Sequence, residues 1–437
     1  MLPQTPARLP AARRSFAILA LAAVLGAAAL VAPAAEAQRQ RQQPAPPPGG
    51  VAVNRNMQAP LGAAQQAIGI QNWAEAKAQL DRADAVAVTP AEKLVVARMR
   101  YQVAETSADK PGKVTALQAI IASGGVPADQ LKAIEVGLAA AMIEAGDTPG
   151  GLAQMRSTYD RYGGTPADYA ALGQQFARAN DNATAETLLM KAIADSSIGG
   201  AKAPESYYRV LLSIHRTTQA NAKYTALLVD LIKAYPKPEY IKEHVALAQR
   251  EANWAAGTDE LRLDLYRALI AGGVTLNAQE TYQMAREADR RVLYGEGLGV
   301  LKPAVDSGAL GGASDSNAAG TNQLLTQLTT KAAREQSSLA TEERDVGRTG
   351  TPAELAALGE VFLTYGQYDK AVQFIQRALT AGLPPGPRTD GVRLHLGIAQ
   401  YKAGQKDAAR ATWAQITGDN GAAALARSWT LISEVRP

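Results

Sequence analysis

A pattern that occurs twice near the C-terminus constrains this chain more than any other feature. Residues 355–379 read LAALGEVFLTYGQYDKAVQFIQRAL, and residues 394–416 read LHLGIAQYKAGQKDAARATWAQI. Each opens a helix on Leu-Gly, turns at a Gly and continues into a second helix with a small residue on its inner face. The pairs Leu358-Gly359 and Leu396-Gly397 stand 38 residues apart. A pattern with that period is a repeated helical hairpin, and such units bury a core only by stacking on one another.

Proline marks the same period upstream. Thr89-Pro90, Val126-Pro127, Thr165-Pro166, Ala203-Pro204 and Thr351-Pro352 each precede a run of apolar residues at helical spacing. Proline fits a first helical turn, where its missing N–H would be unpaired anyway. The residue before it is pushed out of the helical region, which marks a boundary. No segment alternates with period two, so the chain is expected to be all-α. Few aromatics and many Ala and Leu suit closely packed helices.

The first 37 residues read as a leader. Arg8, Arg13 and Arg14 precede an apolar stretch, Phe16 to Val31, and Ala35-Glu36-Ala37 fits a cleavage signal. The stretch is short for a membrane span, which favours cleavage over an uncleaved anchor. The expected mature protein starts at Gln38 and is periplasmic. The chain has no Cys, which rules out a thioether lipid anchor, disulfides and thiolate metal sites. Without residues 1–37 the chain keeps 42 basic and 40 acidic residues, a net charge of about +2. No nucleic-acid partner follows from so even a balance. Residues 38–56, rich in Gln, Pro and Gly, read as a disordered tether.

The hairpins resemble tetratricopeptide repeats. The best match has Leu358, Gly359 and Phe362 on the first helix, Gly366 at the turn, then Tyr368, Ala371, Ile375 and Ala378. The next has Leu396, Gly397, Gly404, Ala409 and Trp413. A third has Leu172, Gly173, Phe176, Ala185, Leu189 and Ala192, with Asn180 for the turn glycine. More divergent copies fall at 64–83 and 138–158. The resemblance implies a right-handed superhelix of antiparallel helix pairs whose concave face takes a protein or peptide. The family's groove positions map onto Gln174, Arg178, Glu360, Thr364, Tyr401 and Lys402. On this reading Gly359 lies between two helices and Glu360 faces open groove, so truncating Glu360 should cost little.

The expected organisation is a leader (1–37), a tether (38–56), a divergent superhelix (57–310), a flexible joint with a long connecting helix (311–350) and a C-terminal repeat pair (351–437). Asn322 to Arg344 reads as the connecting helix, with Leu324, Leu325, Leu328 and Leu339 inward, and Pro303 should kink or end its helix. Gly295, Gly297 and Gly299 read as a turn with tight packing, since nucleotide-loop spacing is not met.

No catalytic chemistry is assembled. His215, His244 and His395 are scattered and are expected to be structural, which leaves no metal site. Glu205-Ser206 resembles the Glu-Ser pair of lytic transglycosylases, but their Gly-Leu-Met-Gln motif is missing. Glu205 is better read as an acid favoured in a first helical turn. The expected protein is therefore a scaffold with no enzymatic activity and no cofactor. The alternatives are a cell-wall (peptidoglycan)-associated factor or enzyme with an unrecognised site, and a self-assembling structural part of an envelope complex.

Overall fold

The computed structural model describes residues 53–250, 261–418 and 420–436. The expected leader, its cleavage site and most of the tether lie outside them. The described residues form twenty α-helices and no strand. They divide into two compact units at Ala201–Lys202.

The N-terminal unit holds four hairpins. These are α1 (Arg55–Gly69) with α2 (Trp73–Asp84), α3 (Pro90–Thr106) with α4 (Lys110–Ala122), α5 (Ala128–Glu144) with α6 (Thr148–Tyr162), and α7 (Pro166–Arg178) with α8 (Asn182–Ser196). The C-terminal unit continues with α9 (Glu205–Thr217) and α10 (Asn221–Ala234), α11 (Pro238–Ala248) and α12 (Arg262–Ala271), and α13 (Ala278–Arg290) and α14 (Tyr294–Asp306). The long helix α15 (Ala318–Thr349) follows. The unit ends with α16 (Pro352–Thr364) and α17 (Tyr368–Thr380), α18 (Pro387–Lys402) and α19 (Lys406–Trp413), and a final helix, α20 (Gly421–Val435). The expected domain limits at 310 and 350 both fall inside this unit.

One turn closes eight of these hairpins. Gln71, Ala108, Gly146, Asn180, Gln219, Val292, Gly366 and Gly404 all have left-handed φ, between 55° and 100°. In each, the next N–H donates to the carbonyl five residues back, as from Asn72 to Ala67 (2.8 Å), Asp181 to Phe176 (2.9 Å) and Gln367 to Phe362 (3.0 Å). This Schellman bond ends the first helix while its neighbour starts the second. Only three of the eight turns use glycine, so the repeat is more regular in backbone than in sequence.

The proline-marked starts are observed at or within one residue of the expected positions. Thr89, Thr165 and Thr351 each accept from the N–H three residues on, and the acid there reaches back to close a capping box. The small residues sit where helices touch. A Cβ on Gly173 would lie 3.2 Å from the carbonyl oxygen of Ala185, and one on Gly359 2.5 Å from Ile375 Cγ1. On Gly397 it would fall 2.1 Å from Trp413 Nε1.

One local expectation changes. Gly295 to Gly299 lie within α14 and not in a turn. Their close packing is nonetheless observed, since a Cβ on Gly295 would meet the Tyr365 ring at 2.6 Å. Pro303 does not end α14, which runs on to Asp306. Within the segment expected to be a flexible joint, the Asp315 carboxylate bridges neighbouring turns. That carboxylate accepts from Gly311 N (2.9 Å), Asn317 N (2.8 Å) and Thr321 Oγ1 (2.7 Å). The long helix extends beyond 322–344 at both ends, burying Leu324, Leu328 and Leu339 as expected, with Leu325 half-buried.

Candidate interaction surface

The hairpin turn supplies a common register. The groove residues Gln174 and Glu360 each stand six residues before a left-handed turn residue, and Arg178, Thr364 and Lys402 stand two before. The first two copies carry Gln65 and Gln102 at the six-before position, and α5 carries Ala140 there. The N-terminal unit thus repeats glutamine on one register of its first helices. Gln65, Gln102 and Arg178 are exposed, and Gln174 is half-buried.

In the C-terminal unit the same register is drawn inward on α16. Glu360 does not face open groove. Its Oε1 accepts from His395 Nδ1 at 2.7 Å, and its Oε2 from Arg291 at 3.1 Å. His395 Nε2 donates to Asp264 Oδ2 at 2.8 Å. Arg267 donates to Asp264 Oδ1 (2.7 Å) and grips Glu296 through Nε (2.8 Å) and Nη2 (2.5 Å). Asp264 is fully buried, and the side chains of Arg267 and His395 nearly so.

Three carboxylates and three cations therefore meet in one buried network, contributed by α12, the C-terminal end of α13, the first turn of α14, α16 and α18. Burial alone would push the His395 imidazolium toward neutrality, but Asp264 and Glu360 on either side raise its pKa to about 9. Both ring nitrogens then donate, as this geometry requires. Burial likewise favours the protonated form of Glu360, yet His395, Arg291 and Arg267 hold its pKa at about 2. Asp264 is held below the usual carboxylate range for the same reasons.

Tyr401 is also committed internally. Its ring packs at 6.4 Å from Trp413 and edge-on at 5.7 Å from Trp429. Trp429 belongs to α20, which buries Leu425, Leu431 and Ile432 as well. This helix packs against α18 and α19, its neighbours in sequence, and against the distant α10, α11 and α12. The last helix of the chain thus fills the interior of its own unit. Thr364 and Lys402 remain on the wall of a small cleft of about 180 Å³ with Arg267 and Glu296.

Glu205 lies in the first turn of α9, as expected, and accepts from Lys237 Nζ at 2.8 Å and from the Tyr240 hydroxyl. It ties α9 to α11. His244 hydrogen-bonds Ser428 Oγ at 3.2 Å.

Two groups escaped the sequence reading. Arg286 and Arg290 hold the six-before and two-before register of α13, but Val292 at its turn hides the repeat. The all-round apolar character of α20 was the signal for a buried helix.

No family model matches the sequence, and no curated protein matches it. Solved structures of tetratricopeptide repeat proteins are similar. One, a tetratricopeptide repeat protein from Parabacteroides merdae, is 8% identical with a TM-score of 0.27, over 74% of this chain and 92% of that one. The P58(IPK) tetratricopeptide domain is 12% identical with a TM-score of 0.19, over 80% of this chain and 98% of that one. The Naa15/Naa10 assembly bound to HypK is 11% identical with a TM-score of 0.27, over 82% of this chain and 63% of the other. The hairpins themselves carry the assignment: the described residues form an all-α, tetratricopeptide-like helical repeat.

Proposed function

We propose that this protein is a non-enzymatic periplasmic scaffold that binds a protein or peptide through its N-terminal unit. The observation that carries this reading is the repeated register of Gln65, Gln102 and Gln174, with Arg178 beside it. None of these four side chains bonds to another described residue, whereas Glu360 and Tyr401 are consumed by internal contacts. A glutamine amide both donates and accepts, so a row of them can follow the backbone of a bound segment. The periplasmic location is supported by the leader-like residues 1–37 and by the absence of Cys.

The test replaces Gln65, Gln102, Gln174 and Arg178 together with Ala and compares capture of envelope proteins with that of the unchanged chain. Capture should fall at least tenfold while the melting curve stays in place. Undiminished capture would move the binding surface elsewhere. Intact-mass measurement of protein from the native envelope should show residues 1–37 removed, and a retained leader would argue for a membrane-anchored form.

A further inference from the structure

We propose that the cleft between α12, α13 and α15 in the C-terminal unit is a binding site for an acidic oligosaccharide. The cleft encloses about 1000 Å³, enough for several sugar rings. It is separate from the glutamine row of the N-terminal unit and does not depend on it.

The charges lining it are unevenly committed. Arg290 is paired with Glu287, and Asp289 with Lys331 at 2.7 Å. Arg262 and Arg286 also line the cleft, are exposed, and enter no ion pair among the described residues. Each offers a planar fork that matches a carboxylate or sulfate edge. The Arg286 guanidinium lies over the Tyr282 ring, 5.9 Å from its centre, and stiffens that fork.

The remaining wall is aromatic and amide. Tyr266 and Tyr282 are half-buried, which leaves ring surface for the C–H face of a sugar. Gln283, Gln323 and Gln327 are exposed on the cleft and can donate to and accept from hydroxyls. Leu324 is the one aliphatic side chain in the lining, and it is buried against its own core. A helical peptide needs a row of apolar pockets for its anchors, and this wall has none. Hydroxyls, a flat C–H face and an anionic group together match what the wall presents.

Titration calorimetry on the purified full-length protein tests this at about 0.15 M salt, where exposed charges alone bind weakly. The probes are a galacturonate hexamer, a heparin hexasaccharide, neutral chitohexaose and hexaglutamate. At least one acidic hexasaccharide should bind tenfold or more tightly than both chitohexaose and hexaglutamate. The Arg262→Gln, Arg286→Gln double variant should weaken that binding at least tenfold, and Gln283→Ala with Gln327→Ala should weaken it several-fold. Melting curves should not move, because all four side chains are exposed. Failure of both acidic sugars to bind overturns the proposal. So does hexaglutamate binding as tightly, which would indicate an acidic-peptide site, or full affinity in the double Arg variant.

Discussion

In the N-terminal unit, from α1 through α8, each helix packs mainly on the helix before it and the helix after it, and further ties such as Asn54 to Glu92 reach only the adjoining hairpin. In the C-terminal unit α20 meets α10, α11 and α12, and His395 reaches Asp264 across 131 residues. Both are built from the same hairpin with the same turn. The N-terminal unit stays a nearest-neighbour stack whose stability is roughly a sum of local terms. The C-terminal unit is tied by contacts between helices far apart in sequence, so losing one tie should be felt throughout it. The difference also sorts their surfaces. A register position left polar and open in the N-terminal unit is spent on internal ion pairs at Glu360.

Removing residues 420–437 should have the largest effect. It strips Leu425, Trp429, Leu431 and Ile432 out of a buried interior. Each such loss costs about 2–5 kcal/mol, and together they exceed the roughly 5–15 kcal/mol that holds an ordinary domain. Limited proteolysis should cut the truncated chain throughout residues 202–419 while sparing the N-terminal unit. Equal protection of both regions would show that α20 is an appendage.

Breaking the buried network comes next. Glu360→Ala or His395→Gln leaves a buried charge without its partner, a loss of about 3–5 kcal/mol in either variant. The pH dependence gives a second readout. The folded pKa of His395, about 9, lies above its ordinary 6.5. The stabilisation it brings is complete below pH 6.5 and is lost as pH rises through 9. Melting temperature of the C-terminal unit should therefore fall between pH 6.5 and 9, and His395→Gln should flatten that fall. A slope unchanged in the variant would place the titrating group elsewhere.

Much of the hairpin was legible in the sequence, because its signals are local. Proline at a first turn, a capping threonine and a small residue between helices each act within a few positions. Gly359 at the contact with Ile375 is such a case. The fate of Glu360, its neighbour, was not legible. Nothing within a turn of Glu360 reveals that His395 and Arg291 will arrive beside it. The turns at Gln71, Ala108, Gln219 and Val292 were hidden for another reason. A left-handed residue is usually glycine or asparagine, and here the surrounding hairpin imposes the conformation on residues that disfavour it. Of the groove residues read from the sequence, Gln174 and Arg178 stay at the surface because no later helix covers them within their unit.

Gly359→Leu should have an intermediate effect. Its first side-chain carbon would fall 2.5 Å from Ile375 Cγ1 and 3.1 Å from Ile375 N, so α16 and α17 must separate. Overpacking of this kind costs about 1–3 kcal/mol. Gly173→Leu is the matched variant in the N-terminal unit, where the nearest atoms are 3.0 Å and 3.2 Å away. Thermal melts should show the larger loss for Gly359→Leu. The reverse order would mean that the C-terminal unit absorbs strain better than its closed packing suggests.

The smallest effect should be the same in both units. Thr165 caps α7 and Thr351 caps α16, each through a box closed by an acid three residues on. The cap bonds of both boxes are solvent-exposed. Replacing either threonine with Ala removes one bond to a helix-end N–H, a loss of about 1 kcal/mol. If the units differ only in long-range closure, the two variants should lose the same stability within experimental error. Denaturant melts read by a fluorophore placed in each unit in turn make the comparison directly. A cap that costs markedly more in the C-terminal unit would show that α20 and the ion network amplify even local damage, and that the two units differ in cooperativity as well as in contacts.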